Sequence, residues 1–251
     1  MLLILGLLAL LLNSYSLDAE LLSLEVNVYL NPDLTLQITE QYKIIVYNIE
    51  KYVELSSSKN ATISDWREFI NDSRFGFHIS GDGIFRENLQ IDTSQIYLKN
   101  YRSGFADITI KYNIRGFNRD YGVFYVKNTS PRYEIIELNP NYLTFTRTGN
   151  RYILLSSNEA IRFRFHPSFS IIEIQPTPIS EGDVHTWTNT VLNNPRIILR
   201  RSISYDQLVI EGILDIYSKA LTILSSTVSI IYIIITLVFM ILTVRVVRDD
   251  K

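Results

Sequence analysis

Alternation of apolar and polar residues, which recurs along most of the chain, constrains its fold more than any other feature. In residues 24–30, Leu24, Val26, Val28 and Leu30 fall on one face. A period of two is that of a β-strand, whose successive side chains point to opposite faces. After Asn-Pro-Asp at 31–33, which suits a tight turn, the alternation resumes over residues 34–39. The two runs predict a β-hairpin.

Similar runs predict further strands at intervals of about 10 residues, which is typical of sandwiches and barrels. They lie at residues 42–47, 53–57, 84–91, 108–114, 121–126, 133–138, 142–146, 151–155, 160–165, 169–174, 187–192 and 197–205. We therefore expect an all-β ectodomain made of tandem β-sandwich domains, residues 17–115 and 116–205. A single large β-sandwich is the alternative, since no Pro-, Gly- or Ser-rich linker marks the division.

One short helix is predicted within the first half, over residues 63–70. Trp66, Phe69 and Ile70 lie on one side of such a helix, and Ser64 is placed to cap its N-terminus. We interpret Trp66 as a packing residue rather than a ligand contact.

The two ends of the chain predict export and a membrane anchor. Residues 1–16 resemble a signal peptide, with an uncleaved N-terminal anchor as the alternative. Residues 220–244 carry no formal charge, and as a helix they would reach about 37 Å, enough for a transmembrane helix. A helical juxtamembrane stalk at 206–219 and a cytoplasmic tail at 245–251, which carries three cations, complete a type I single-pass topology at the plasma membrane.

Hydroxyl side chains recur along one side of the predicted transmembrane helix. They are Thr222, Ser225, Ser226, Ser229, Thr236 and Thr243. Such a face allows close packing of a second helix, so we expect a protein partner or self-association there, with membrane lipid around it. The alternative is that each hydroxyl bonds a carbonyl of its own helix.

Composition excludes several classes of protein. The chain has no cysteine, which rules out disulfide-stapled modules and thiol enzymes. Its 24 basic and 26 acidic residues argue against a nucleic-acid partner. Three Asn-x-Ser/Thr sequons predict N-glycosylation at Asn60, Asn71 and Asn128.

No catalytic residue, metal ligand or cofactor is predicted. His78, His166 and His185 are scattered without metal-ligand spacing. Asp183 and His185 near Ser180 resemble part of a triad, but their sequence spacing does not orient an imidazole.

Glu40 falls on the apolar face when residues are counted by twos from Leu34. We favour a bulge near Thr39, or the end of the strand, as the explanation. The alternative is a carboxylate buried against a cation or a hydroxyl, which would become a functional candidate if it were unpaired.

Two groups of basic residues suggest a cationic surface for anionic headgroups, acidic glycans or an acidic partner. They are Arg162, Arg164 and His166, and Arg196, Arg200 and Arg201. A solvated strand face paired with nearby acids is the alternative interpretation.

These features together predict a membrane glycoprotein, not an enzyme, whose extracellular β domains act in cell-surface binding or assembly. The alternative is an accessory subunit of a membrane-embedded enzyme or transport complex, contacted through the transmembrane helix.

Overall fold

A computed structural model describes residues 17–100, 102–115, 122–130, 132–148 and 152–203, with residues 213, 216–219 and 235–237. The chain forms two compact units, residues 1–129 with 134–201, and residues 130–133 with 202–251. Every site discussed below belongs to the first unit.

Most of the first unit is β-sheet, as the alternation predicts. The strands are β1 (Ala19–Leu30), β2 (Leu36–Val46), β3 (Phe85–Thr93), β4 (Tyr97–Asn100), β5 (Ser103–Arg115), β6 (Phe124–Ser130), β7 (Tyr133–Leu138), β8 (Arg147–Thr148), β9 (Tyr152–Phe165), β10 (Phe169–Gln175), β11 (Ile179–Glu181), β12 (Val184–Asn193) and β13 (Arg196–Ser202). The helices are α1 (Ile49–Ser57), α2 (Ile63–Ile70) and a 3₁₀ turn at Pro140–Tyr142.

Within the described residues, nine strands form the larger sheet, in the order β11-β12-β9-β1-β2-β5-β3, with β4 paired to β5 and β8 to β9. The predicted hairpin is confirmed, since β1 and β2 are antiparallel neighbours. On its other side β1 pairs in parallel with β9, so strands from both sides of residue 116 share this sheet. The predicted domain division at residue 116 itself falls among residues outside the described part.

In the part of the chain that the structure describes, the smaller sheet has four strands, in the order β10-β13-β7-β6. It contributes to the core that covers the apolar face of the larger sheet: Phe124 of β6 lies edge-on to Phe163 of β9, with ring centroids 6.2 Å apart. The helices add to the same core through Tyr52, Trp66 and Phe69, whose rings contact one another. Trp66 is therefore a packing residue, as predicted.

The predicted strand at residues 53–57 is wrong, because these residues are the second half of α1. One side of this helix packs against the core through apolar residues spaced three apart, Ile49, Tyr52 and Leu55. The predicted helix at 63–70 is confirmed, but its cap is Thr62 rather than Ser64. Thr62 and Asp65 form a reciprocal capping box.

The predicted fold class included a transmembrane helix, and the described residues contradict this part of the prediction. Among the described residues, no helix has both the length and the apolar character needed to cross a membrane. A helix needs about 20 consecutive apolar residues to cross the hydrocarbon layer, whereas α1 has 9 residues and α2 has 8. Of the predicted span, only residues 235–237 are described, and Thr236 lies there.

The rest of the predicted C-terminal organisation and the leader fall largely outside the described residues. This holds for residues 1–16 and 245–251, for Thr222, Ser225, Ser226, Ser229 and Thr243, and for most of the stalk at 206–219. Within the stalk, residues 213 and 216–219 are helical.

Candidate functional site

Glu40 is fully buried at the centre of a hydrogen-bond network. The register of β2 runs unshifted through it, with Glu40 opposite Val26 and Ile110, so the bulge interpretation is wrong. Its Oε1 accepts the Tyr112 hydroxyl at 2.5 Å and the His78 backbone N–H at 2.8 Å. Its Oε2 contacts the Tyr42 hydroxyl and lies 2.9 Å from His78 Nδ1. The carboxylate is therefore buried, but it is well supplied with donors.

The two tyrosines remain neutral donors in this network. Burial raises the pKa of Tyr42 well above its usual value, and the neighbouring Glu40 charge raises it further. Burial and Glu40 raise the pKa of Tyr112 in the same way. A phenol that keeps its proton can donate to a carboxylate, which has no proton to give.

The His78 ring joins two polar groups of the network. Its Nδ1 lies 2.9 Å from Glu40 Oε2 and 3.3 Å from the Tyr42 hydroxyl. Within the described chain its other ring nitrogen, Nε2, makes no hydrogen bond.

His78 lines a cleft of about 220 Å³, between the segment that follows α2 and the loop after the 3₁₀ turn. Arg67, Arg74 and Glu159 supply the charged groups of its lining, and Ser73, Thr144 and Thr146 supply hydroxyls. We call this space the His78 cleft. It lies beside the buried Glu40 network, and His78 belongs to both.

The two arginines of the His78 cleft differ in their partners. Arg74 is held by two carboxylates, Asp72 at 2.6 Å and Glu159 at 3.3 Å, and its hydrogen bonds lower the pKa of Asp72. Arg67 donates its Nε to the Phe75 carbonyl oxygen at 2.7 Å. In the described part of the chain, no acceptor is within hydrogen-bonding distance of the terminal nitrogens of Arg67.

Gly76 makes room for the Arg67 guanidinium. Its φ of +144° is one that other residues rarely adopt, and a Cβ placed on it would lie 2.3 Å from Arg67 Nη2. The Gly76 N–H also donates to the Tyr42 hydroxyl at 3.2 Å. This glycine therefore joins the network to the cleft.

A second concave region lies on the opposite, polar face of the larger sheet. Two adjoining grooves of about 480 and 440 Å³ run along β1, β2 and β9. We call them together the sheet trough. Its floor consists of Ser23, Glu25, Asn27, Tyr29, Gln37, Thr39, Gln41, Lys43, Ala160, Arg162 and Arg164. From Ser23 to Tyr29 the strand rises about 20 Å, so the trough suits an extended ligand.

Part of the charge in the sheet trough is matched within the protein. Arg162 contacts the Glu25 carboxylate, and Arg164 Nε lies 2.5 Å from Asp183. Lys43, Asp107 and Glu159 also line the trough, and Glu159 lies 3.3 Å from Arg74. The remaining floor is mainly neutral amides and hydroxyls, which recognise partners by hydrogen bonds rather than by net charge.

The predicted basic surface is divided between the two sheets. Arg162, Arg164 and His166 belong to β9 or follow it, whereas Arg196, Arg200 and Arg201 lie on β13. Arg196 pairs with Glu137 and Glu173, and Arg201 with Glu134. Most of these arginines are therefore already paired with an acidic side chain of the protein.

The suggested triad is only partly assembled. Ser180 and His185 are cross-strand neighbours in the β11–β12 hairpin, and Ser180 Oγ lies 2.9 Å from His185 Nδ1. Asp183 bonds Arg164 instead of the imidazole. Burial lowers the pKa of His185, although the nearby Asp183 charge opposes this.

Asn60, Asn71 and Asn128, the predicted glycosylation sites, are all exposed. For metal binding, the described residues contain no group of three His, Asp or Glu side chains placed to hold an ion.

Sequence reasoning found Glu40 but missed its partners. The signal for Tyr42 and Tyr112 was present, since both continue the apolar faces of their strands. His78, Arg67 and Gly76 come from a helix and an irregular segment, where no periodicity marks which side chains converge.

Comparison with known proteins gives little further guidance. No family model matches the chain, and no curated protein matches it significantly. Two structures of leukotriene A4 hydrolase from Saccharomyces cerevisiae share 7% and 9% identity over 76% of this chain, with TM-scores of 0.32 and 0.30. This chain spans only 30% of their length.

The Fcho1 Mu homology domain of Danio rerio, solved with a bound Eps15 peptide, shares 10% identity with a TM-score of 0.20. The match covers 74% of this chain and 78% of the chain of the Mu homology domain. Likenesses of this size do not establish a common fold.

Proposed function

We propose that the protein is a cell-surface binding protein that holds an extended, neutral glycan in the sheet trough. The observation that carries the proposal is the adjoining pair of grooves along β1, β2 and β9, in which amides and hydroxyls lie among charged side chains. These groups match the donors and acceptors of sugar hydroxyls. The three sequon asparagines are exposed, as N-glycosylation of an exported protein would require.

A glycan fits this surface better than a protein does. Cores of protein interfaces are enriched in aromatic and other apolar side chains, and they are depleted of charge. The trough floor has one aromatic residue, Tyr29, among its polar side chains. Its arginines are paired with acids, so an acidic ligand would have to break these ion pairs.

Binding of neutral and acidic oligosaccharides to the purified protein, first on an array and then by calorimetry, tests the proposal. Gln41→Ala and Thr39→Val each remove a hydrogen-bonding group from the floor and should weaken binding about tenfold. Ser170→Ala, on the exposed face of β10 in the other sheet, is the matched control.

Affinity for the neutral glycan should change less than about threefold between low and high salt, because few net charges are involved. Binding only of acidic glycans, or binding unaffected by both trough variants, would overturn the proposal.

A further inference from the structure

A row of apolar side chains crosses three neighbouring strands beyond the end of the sheet trough that Lys43 and Asp107 line. Tyr97 of β4 stands directly opposite Phe105 of β5. On its other side, Phe105 stands directly opposite Ile45 of β2. Side chains that face one another across paired strands lie on the same side of a sheet. The three side chains therefore form one continuous apolar row.

This row lies on the same face of the sheet as the trough. Phe105 comes two residues before Asp107 on β5, and the trough lining includes Asp107. Ile45 comes two residues after Lys43 on β2, and Lys43 also lines the trough. Residues two apart on a strand point to the same side and are separated by about 7 Å. The row thus continues the trough at this end.

The aromatic rings of the row are open to solvent. The side chains of Tyr97 and Phe105 are 72% and 39% exposed, and Tyr47, directly after β2, is 42% exposed. The Tyr47 hydroxyl donates to Glu20 Oε2 at 3.0 Å, and Glu20 stands opposite Ile45. This bond places the Tyr47 ring beside the row. We call Ile45, Tyr47, Tyr97 and Phe105 together the aromatic platform.

Charged side chains border the aromatic platform. Glu20, Lys43 and Asp107 are its neighbours on β1, β2 and β5, and Lys99 Nζ lies 5.6 Å from the Phe105 ring centroid. Stable protein interfaces use about 20 to 30 residues a side, and their cores are depleted of charge. The four described apolar side chains within this border are far fewer. The platform therefore suits a small ligand surface that is apolar on its face and polar at its edge.

We propose that the aromatic platform stacks against a glucose-type pyranose ring of the neutral glycan that occupies the sheet trough. Such a ring carries C–H groups on its faces and hydroxyls around its edge. The Tyr97 and Phe105 rings cover a face, while Lys99 donates to edge hydroxyls and Glu20 accepts from them. This inference rests on the function proposed above, to which it adds the class of sugar and the end of the trough where the ring is bound.

Titration of the full-length protein with cellohexaose, a linear and neutral glucose oligomer, tests the assignment by calorimetry. Tyr97→Ser and Phe105→Ser each remove a ring and should weaken binding at least about fivefold. Tyr97→Phe keeps the ring and should weaken it less than about twofold. Phe85→Ser is the matched control and should bind unchanged, since Phe85 is 71% exposed but stands opposite Arg115 at the other end of β5.

The trough variants Gln41→Ala and Thr39→Val separate this inference from the function on which it rests. Weaker binding in these variants and in the two serine variants supports both. Loss in the trough variants alone overturns the stacking site and leaves the trough function standing. Loss in the serine variants alone overturns the trough, and with it the continuous site proposed here.

The choice of sugar is tested separately from glycan binding itself. If another neutral glycan binds and cellohexaose does not, the stacking assignment is wrong while the trough function stands. If no neutral glycan binds, both are wrong. In the unaltered protein, ring currents should shift C–H protons of bound cellohexaose upfield in NMR spectra. Unshifted sugar protons at saturation would contradict stacking without any substitution.

Discussion

His78 Nδ1 lies 2.9 Å from Glu40 Oε2 inside the protein core, where neither side chain has appreciable contact with water. Glu40 also accepts hydrogen bonds from the Tyr112 hydroxyl and the His78 backbone. The cost of burying a carboxylate is offset only while these donors remain in place.

Glu40→Gln should therefore be strongly destabilising despite its similar size. The amide group turns an N–H₂ toward donors that need an acceptor, and each unsatisfied donor costs about 1–3 kcal/mol. We expect a loss on the order of 3 kcal/mol in the free energy of unfolding, measured with urea. Glu87→Gln, on the half-exposed edge strand β3, should change it by less than about 1 kcal/mol.

Alkaline pH should destabilise the fold through the buried tyrosines. Their pKa values are raised in the folded state, so above pH 10 the unfolded chain releases these protons first. Stability is then lost as pH rises, by about 1.4 kcal/mol per pH unit for each tyrosine. Urea unfolding at several pH values between 8 and 11 measures this loss. In Tyr112→Phe, the free energy of unfolding should fall with pH less steeply than in the unaltered protein, by that amount. In Tyr97→Phe, where the ring is exposed, its dependence on pH should be unchanged.

Two glycines should differ in the cost of substitution by alanine. Gly182 has a φ of +63° and open space around it, so Gly182→Ala should cost about 1 kcal/mol. Gly76→Ala should cost more, because its φ of +144° is less accessible to alanine and the added Cβ would also collide with Arg67. Denaturation midpoints of the two variants provide the measurement, and a loss at Gly76 no larger than that at Gly182 would contradict this expectation.

Thr62→Ala should destabilise α2 by about 1 kcal/mol, because its hydroxyl caps the first turn. Ser64→Ala, inside the helix, should change the free energy of unfolding by less than about 0.5 kcal/mol. Thermal unfolding of protein made in a host that does not glycosylate avoids interference from the Asn60 sequon. A larger effect at Ser64 would contradict the capping box.

Expression in a secreting, glycosylating host should add a glycan at each exposed sequon. Asn60→Gln, Asn71→Gln and Asn128→Gln should then each remove one mass increment, seen by mass spectrometry before and after enzymatic deglycosylation. An unmodified chain from that host would refute the predicted glycosylation.

Local patterns predicted the β1–β2 hairpin and α2, because each depends on neighbours along the chain. They failed at α1, where the alternation of Val53, Glu54, Leu55 and Ser56 imitates a short strand and hides a helical face set by Ile49, Tyr52 and Leu55. The Glu40 site was ambiguous for a related reason. Whether a carboxylate on an apolar face is displaced or buried depends on donors far along the chain, such as Tyr112 and His78.

The parallel pairing of β1 with β9 has a consequence for biosynthesis. Val28 of β1 pairs with Phe163 of β9, and Phe163 emerges from the ribosome only after most of the first unit has been made. Until then the growing polypeptide carries an unsatisfied row of backbone groups along one of its earliest strands. Release of a truncated product lacking β9 should therefore yield aggregates.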